Sequence, residues 1–228
     1  MNKNEFCTIE VSLRGLRDIM FDRYSGDNKT ELSLEKKMYF GEDGETLVMP
    51  AANIMSLLTS QNTMSAPKRF LDVRKYKHTA AAFLSYITIE PFEIPFTHNG
   101  KPIKFDGKFI KRTDPGPGVY EHISVARLDK GIPNPKRRPV LKLPWSLQFK
   151  LHVYLKQQEF SLDMLEDLLK KGLFAIGLGT FRGVYGKAEI KNGTKSEDFT
   201  RRGLAGLGVA GRGWAWLGEA RRGKARQG

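Results

Sequence analysis

Along residues 145–156, WSLQFKLHVYLK, the apolar positions Trp145, Leu147, Phe149, Leu151, Val153 and Leu155 alternate with Ser146, Gln148, Lys150, His152, Tyr154 and Lys156. A period of two predicts a long strand with one buried and one wet face. The pattern then changes. In FSLDMLEDLLKKG, Leu162, Leu165, Leu168 and Leu169 form a stripe at helical spacing. Ser161 is the expected N-cap, Phe160 a hydrophobic staple onto Leu165, and Gly172 the expected helix end. A glycine-rich segment follows, and VYGKAEI reads as a closing strand.

The first half has the same rhythm. Ile9, Val11 and Leu13 of TIEVSL point one way as a strand, and KKMYF and TLVM flank the turn GEDG as a hairpin. Pro50 opens a helix, PAANIMSLLTS, with Ile54, Leu57 and Leu58 on one side. Residues 67–83 predict a second helical piece, and YITIE a strand. Strand, helix and strand, then hairpin insertions, then strand, helix and strand predict an α+β, ferredoxin-like (RRM-like) βαββαβ domain. Its sheet would leave one face open, a surface many RNA binders use.

Glycine recurs at 203, 208, 213, 218, 223 and 228 and alanine at 205, 210, 215, 220 and 225, a period of five that matches neither helix nor strand. The chain therefore divides into a domain over 1–195, with an insertion at about 91–142, and a low-complexity basic Gly/Ala/Arg tail over 196–228 expected to be disordered.

With 228 residues and 40% apolar composition, the chain can bury one real core. Its 38 Lys and Arg against 25 Asp and Glu leave a formal charge of +13, which points to a polyanion, nucleic acid before an acidic membrane surface. Cys7 is the single cysteine, so an internal disulfide and a thiolate zinc cluster are excluded and a reducing cytoplasm is expected. No apolar run is long enough for a membrane span, no metal spacing stands out, and no cofactor is expected.

Two cationic runs lie in the insertion. KPIKFDGKFIKR, residues 101–112, follows the hairpin turn Asn99-Gly100 and includes Lys108, Lys111 and Arg112. RLDKGIPNPKRRPVLK, residues 127–142, includes Lys136, Arg137 and Arg138, and its prolines are expected to keep it out of regular structure. With Phe105, Phe109 and Tyr120 alongside, the runs suggest a phosphate-tracking surface with aromatics for stacking. In GLGTFRGVYGKAEI, Gly177, Gly179, Gly183 and Gly186 let the main chain approach a ligand and turn its amides outward, and Arg182 adds charge; the alternative is a tight helix-to-strand crossover.

That arrangement resembles the carboxy-terminal glycine-rich loop of the RAMP superfamily of CRISPR-associated RNA-binding proteins. Gly177, Gly179, Arg182, Gly183, Tyr185 and Gly186 stand where the loop of that family has its pattern. A second similarity lies upstream, where Asp43-Gly44, Pro50 and the helix from Ala51 to Leu58 sit as in the backbone subunits of multisubunit CRISPR effectors. Departures are Ala51, Ala52, Asn53 and Ser56 in place of the usual small polar pair and glycine, and no basic residue after the helix.

The resemblance implies a divergent, backbone-type RNA-binding subunit, phage- or mobile-element-borne, that serves antiviral defence and holds single-stranded guide or target RNA among other subunits or copies of itself. It places Asp27, in SGDNKTEL, where some members carry a catalytic aspartate, which leaves an endoribonuclease as one alternative; a turn-favouring loop residue explains Asp27 equally well. The other alternative is a phage protein that mimics a backbone subunit to inhibit a host effector. His78, His98, His122 and His152 show no metal spacing, and catalysis is not the expected main role.

Overall fold

A computed structural model of the chain describes residues 5–26, 31–61, 64–127 and 133–191. The elements begin with β1 (Phe6–Gly15), β2 (Ile19–Met20), β3 (Val48–Pro50), α1 (Ala51–Thr59), α2 (Ala66–Phe70), α3 (Tyr76–Tyr86) and β4 (Ile87–Glu90). They continue with β5 (Glu93–Pro95), β6 (Thr97–His98), β7 (Lys101–Pro102), β8 (Val119–Arg127), β9 (Pro133–Leu141), β10 (Ser146–Tyr154), α4 (Leu162–Ala175) and β11 (Ala188–Ile190). The class is α+β: four helices pack with antiparallel sheets among the described residues.

The principal sheet runs β11-β1-β10-β6-β7, and β4 also pairs with β10. β1 and β10 are in register from Phe6↔Tyr154 to Arg14↔Ser146. Alternation decides which face is covered. Ile9, Val11 and Leu13 on β1 and Leu147, Phe149, Leu151 and Val153 on β10 are all buried. They share one core with Ile54, Leu57 and Leu58 of α1, Phe83 of α3, and Leu165, Leu168, Leu169 and Leu173 of α4. Each such side chain contributes about 1.5–3 kcal/mol by leaving water, so the central strands and α4 fix the domain.

Local signals match at the best-patterned places. Ser161 caps α4 by accepting from the Met164 N–H at 3.1 Å. Pro50 stands as the residue before α1. Asn99 and Gly100, both at positive φ, turn β6 into β7, as the primed hairpin turn requires.

Elsewhere the structure differs. Gly172 does not end α4, which continues to Ala175; a Cβ there would lie 2.9 Å from the Ala66 Cβ, so this glycine admits α2 against α4. Residues 67–83 divide into α2 and α3. Lys36 and Lys37 fall in a short 3-10 turn at Glu35–Lys37, while the GEDG hairpin closes as a single antiparallel bridge, Phe40↔Leu47, with the Gly41 N–H on the Thr46 carbonyl and the Val48 N–H on that of Tyr39; Val48 to Pro50 pair on with Glu93 to Pro95.

Most instructive is β9, which is a full strand despite Pro135 and Pro139. These prolines lie at alternate positions, and the Pro139 carbonyl accepts from the Phe21 N–H on the side away from β8. Their missing N–H groups therefore fall where β8 needs none, and the β8–β9 ladder forms from Val119↔Leu141 to Arg127↔Pro133. β2, β9 and β8 make a second, three-stranded sheet.

The expected tail and the boundary near residue 195 lie outside the described residues. Among the described residues no helix is long and apolar enough to cross a membrane.

Candidate nucleic-acid interface

The glycine segment joins α4 to β11, and its path is set by where its amides go. Ile176 and Gly177 both donate to the Gly172 carbonyl, at 2.9 and 3.0 Å, and Gly177 turns left-handed at φ 88° to stop the helix. Leu178 is fully buried. The Gly179 N–H donates to Asn53 Oδ1 of α1 at 3.0 Å, Gly183 to the Ile176 carbonyl at 2.6 Å, and Gly186 to the Asp18 carbonyl at 2.8 Å. Thr180 donates to Met20, and Leu178 to Gly186.

The expectation that these glycines turn free amides outward is therefore corrected: Gly177, Gly179, Gly183 and Gly186 all spend their N–H groups inside the protein. The absent side chains serve close packing at three of them. A Cβ on Gly177 would lie 2.8 Å from the Tyr185 carbonyl oxygen, one on Gly179 2.7 Å from that of Met20, and one on Gly186 would overlap that of Leu178. Gly183 has open space around it and needs glycine only for its φ of 97°.

What this folded loop offers is side chains. Arg182 lies half-buried between the loop and α1, with Nε on the Gly179 carbonyl at 3.3 Å and Nη2 on Ser56 Oγ at 3.5 Å. Nη1 is buried and has no partner among the described residues. Burial without a counter-charge pushes the guanidinium pKa below its ordinary value. An unpaired buried donor on a cation is costly, and an incoming anion relieves it.

The loop rests on the three-stranded sheet. Tyr185 packs on a small cluster of Met20, Tyr120 and Val140, and its ring lies 5.8 Å from that of His122. The Tyr120 hydroxyl donates to Asp18 Oδ2 at 3.0 Å; burial, then the nearby carboxylate, raise its pKa. Arg138, 7% exposed, donates to Asp22 at 2.7 Å and to Ser124 at 3.1 Å, and its guanidinium lies 5.2 Å from the Phe181 ring centroid.

The structure thus brings Arg182, Tyr185, the four glycines and Arg138 together, although Arg138 is locked to Asp22. Arg137 points from the other face of β9 and is paired with Glu121. Lys136, Lys108, Lys111 and Arg112 are exposed and form no ion pair among the described residues. Arg112 lies over Tyr120 at 5.9 Å, while among the described residues no hydrogen bond, ion pair or ring contact ties Lys108 or Lys111 to the glycine loop. Asp27 lies outside the described residues. The flanking stretches form a cavity of about 450 Å³ that includes Arg23, Tyr24, Leu32 and Lys36.

Sequence reasoning missed Phe181, Asn53, Ser56 and Asp18. It also passed over the exposed cations Lys68, Arg69, Arg74, Lys75 and Lys77 on α2, α3 and the turn between them, which are visible as a charge run and have no ion pair among the described residues.

The open sheet face is different. Thr8 Oγ1 lies 2.9 Å from His152 Nδ1, and His152 Nε2 lies 3.0 Å from Glu90. Arg14 pairs with Glu189, and Lys150 is in register between Glu10 and Glu90. No group of three or more His, Cys, Asp or Glu side chains suited to a metal occurs among the described residues.

No protein-family model matches the chain, and no curated protein matches it. Among solved structures, the chain is similar to one in the cryo-EM structure of the Type III-B Cmr-beta bound to cognate target RNA, with a TM-score of 0.53 and 12% identity. That match covers 82% of this chain and 59% of the other, so the chain spans little more than half its neighbour. The crystal structure of Cmr6 from Pyrococcus furiosus matches with a TM-score of 0.41 and 10% identity, over 84% of this chain and 100% of that one. The first of these shows a shared fold.

Proposed function

We propose that the protein is a RAMP-like, RNA-binding component of a CRISPR ribonucleoprotein, of the backbone-subunit type, and that it holds single-stranded guide or target RNA along its glycine loop and three-stranded sheet. The order β11-β1-β10-β4, with α1 and α4 in the crossovers, supports a ferredoxin-like split β-α-β core beneath the insertions. The fold shared with a chain of an effector complex that carries target RNA supports the partner class.

The observation that carries the reading is the unpartnered Nη1 of Arg182. It is a cation fixed between α1 and the loop, with one arm still to be satisfied just beneath the surface, and a phosphate oxygen that displaces its cover fits that need. Exposed Lys108, Lys111, Arg112 and Lys136 supply further phosphate contacts with little sequence preference. Fluorescence anisotropy with a labelled RNA of about 30 nucleotides tests this. Binding is expected to weaken steeply with salt, and Arg182→Gln to weaken it about tenfold or more. Flat anisotropy at low salt, or an Arg182→Gln variant that binds as the parent does, contradicts the proposal.

A further inference from the structure

We infer that Phe181 is a base-stacking residue: its exposed ring takes a nucleobase of the same strand whose phosphate Arg182 holds. The inference rests on the RNA-binding reading above and adds a residue and a chemistry to it.

Phe181 is held at φ 57°, in the left-handed region that an aromatic L-residue rarely adopts. Its neighbours Gly179 and Gly183 answer the same need with glycine, at φ 74° and 97°. A phenyl group stands where glycine fits with less strain. Core packing does not explain it, because the side chain is 55% exposed. A backbone outlier and an exposed aromatic at one position together point outward, to a ligand.

The surroundings select the ligand class. Arg138 lies over the ring at 5.2 Å and is itself fixed by Asp22 and Ser124, so the ring is backed by an immobile cation. The next residue is Arg182, with its unsatisfied Nη1. An aromatic platform one residue from a phosphate-seeking guanidinium is the pairing that single-stranded nucleic acid requires, base on ring and phosphate on cation. Val184, three residues on in the same loop, is exposed at 65%. A protein partner docking there is the competing occupant, and the cations Arg138 over the ring and Arg182 next in the chain argue for the polyanion.

The test uses the full chain and Phe181→Gly, which removes the ring and relieves the φ. The thermal midpoint should stay equal or rise, because glycine suits the left-handed turn. Affinity for a 30-nucleotide RNA should fall roughly 5- to 150-fold. The slope of log affinity against log salt should stay unchanged, since no phosphate contact is lost. Phe181→Trp should retain binding. RNA with abasic positions should bind the parent more weakly and the Phe181→Gly variant no differently. Equal RNA affinity of parent and Phe181→Gly, or indifference of the parent to abasic positions, overturns the stacking role. If the parent itself binds no RNA, the proposed function falls, a separate and distinguishable result.

Discussion

The open face of the principal sheet and the glycine-loop side of the molecule handle charge in contrasting ways. On the open face Arg14 is answered by Glu189 and Lys156 by Glu5, His152 lies against Glu90, and Lys150 stands in register between Glu10 and Glu90. On the loop side Arg182 keeps an unpartnered Nη1, and in the insertion Lys108, Lys111, Arg112 and Lys136 stand exposed without ion pairs among the described residues. Overall charge alone does not locate a polyanion site. Unanswered charge does, because a paired cation must lose its partner before it can serve a phosphate.

The difference can be broken from the loop side first. Gly186→Ala puts a methyl group into the Leu178 carbonyl at a left-handed position, so destabilisation of about 3 kcal/mol or more is expected in urea unfolding. Gly183→Ala, with free space around it, should cost about 1–2 kcal/mol for its φ alone. Equal losses would mean that the loop is not packed as described.

Arg182→Met separates stability from binding. Removing a half-buried guanidinium that lacks a full set of partners should leave stability unchanged or higher, while RNA affinity falls. A large loss of stability would show that Arg182 is a structural strut. Smaller again are the exposed cations: Lys136→Gln and Lys111→Gln should each lower the salt slope by about one unit and leave stability within about 0.5 kcal/mol. Smallest of all, Glu10→Gln and Glu90→Gln on the open face should change RNA affinity less than about twofold, because these carboxylates lie on the face away from the proposed site; a strong gain in affinity would move the site to the sheet.

How much of this was legible follows the chemistry of each segment. β1, β10 and α4 were readable because burial imposes periods of 2 and 3.6 on one chain segment at a time. β9 was not. Proline bars a strand only where its missing N–H is needed, and which edge β8 occupies is a tertiary fact. Gly172 looked like a helix stop because its packing partner, Ala66, is distant in sequence. The glycine loop was located correctly and its device was misread: nothing in GLGTFRGVYG reveals that Met20, Asp18 and Asn53 complete its hydrogen bonds. Arg138 counted as a phosphate cation in the sequence, and the structure places it against Asp22. Phe181 escaped notice because its significance lies in a dihedral angle and in exposure, neither of which the sequence displays.

Photo-crosslinking of the full chain to a 4-thiouridine-substituted RNA, with the adducts mapped by mass spectrometry, tests the assignment of surfaces most directly. Adducts at Phe181, Tyr185 and the β8–β9 sheet, with none at Phe6, Tyr86 or Tyr154 beside the open face, are the predicted result. Adducts concentrated on those three open-face aromatics, with the loop unmodified, would contradict the account.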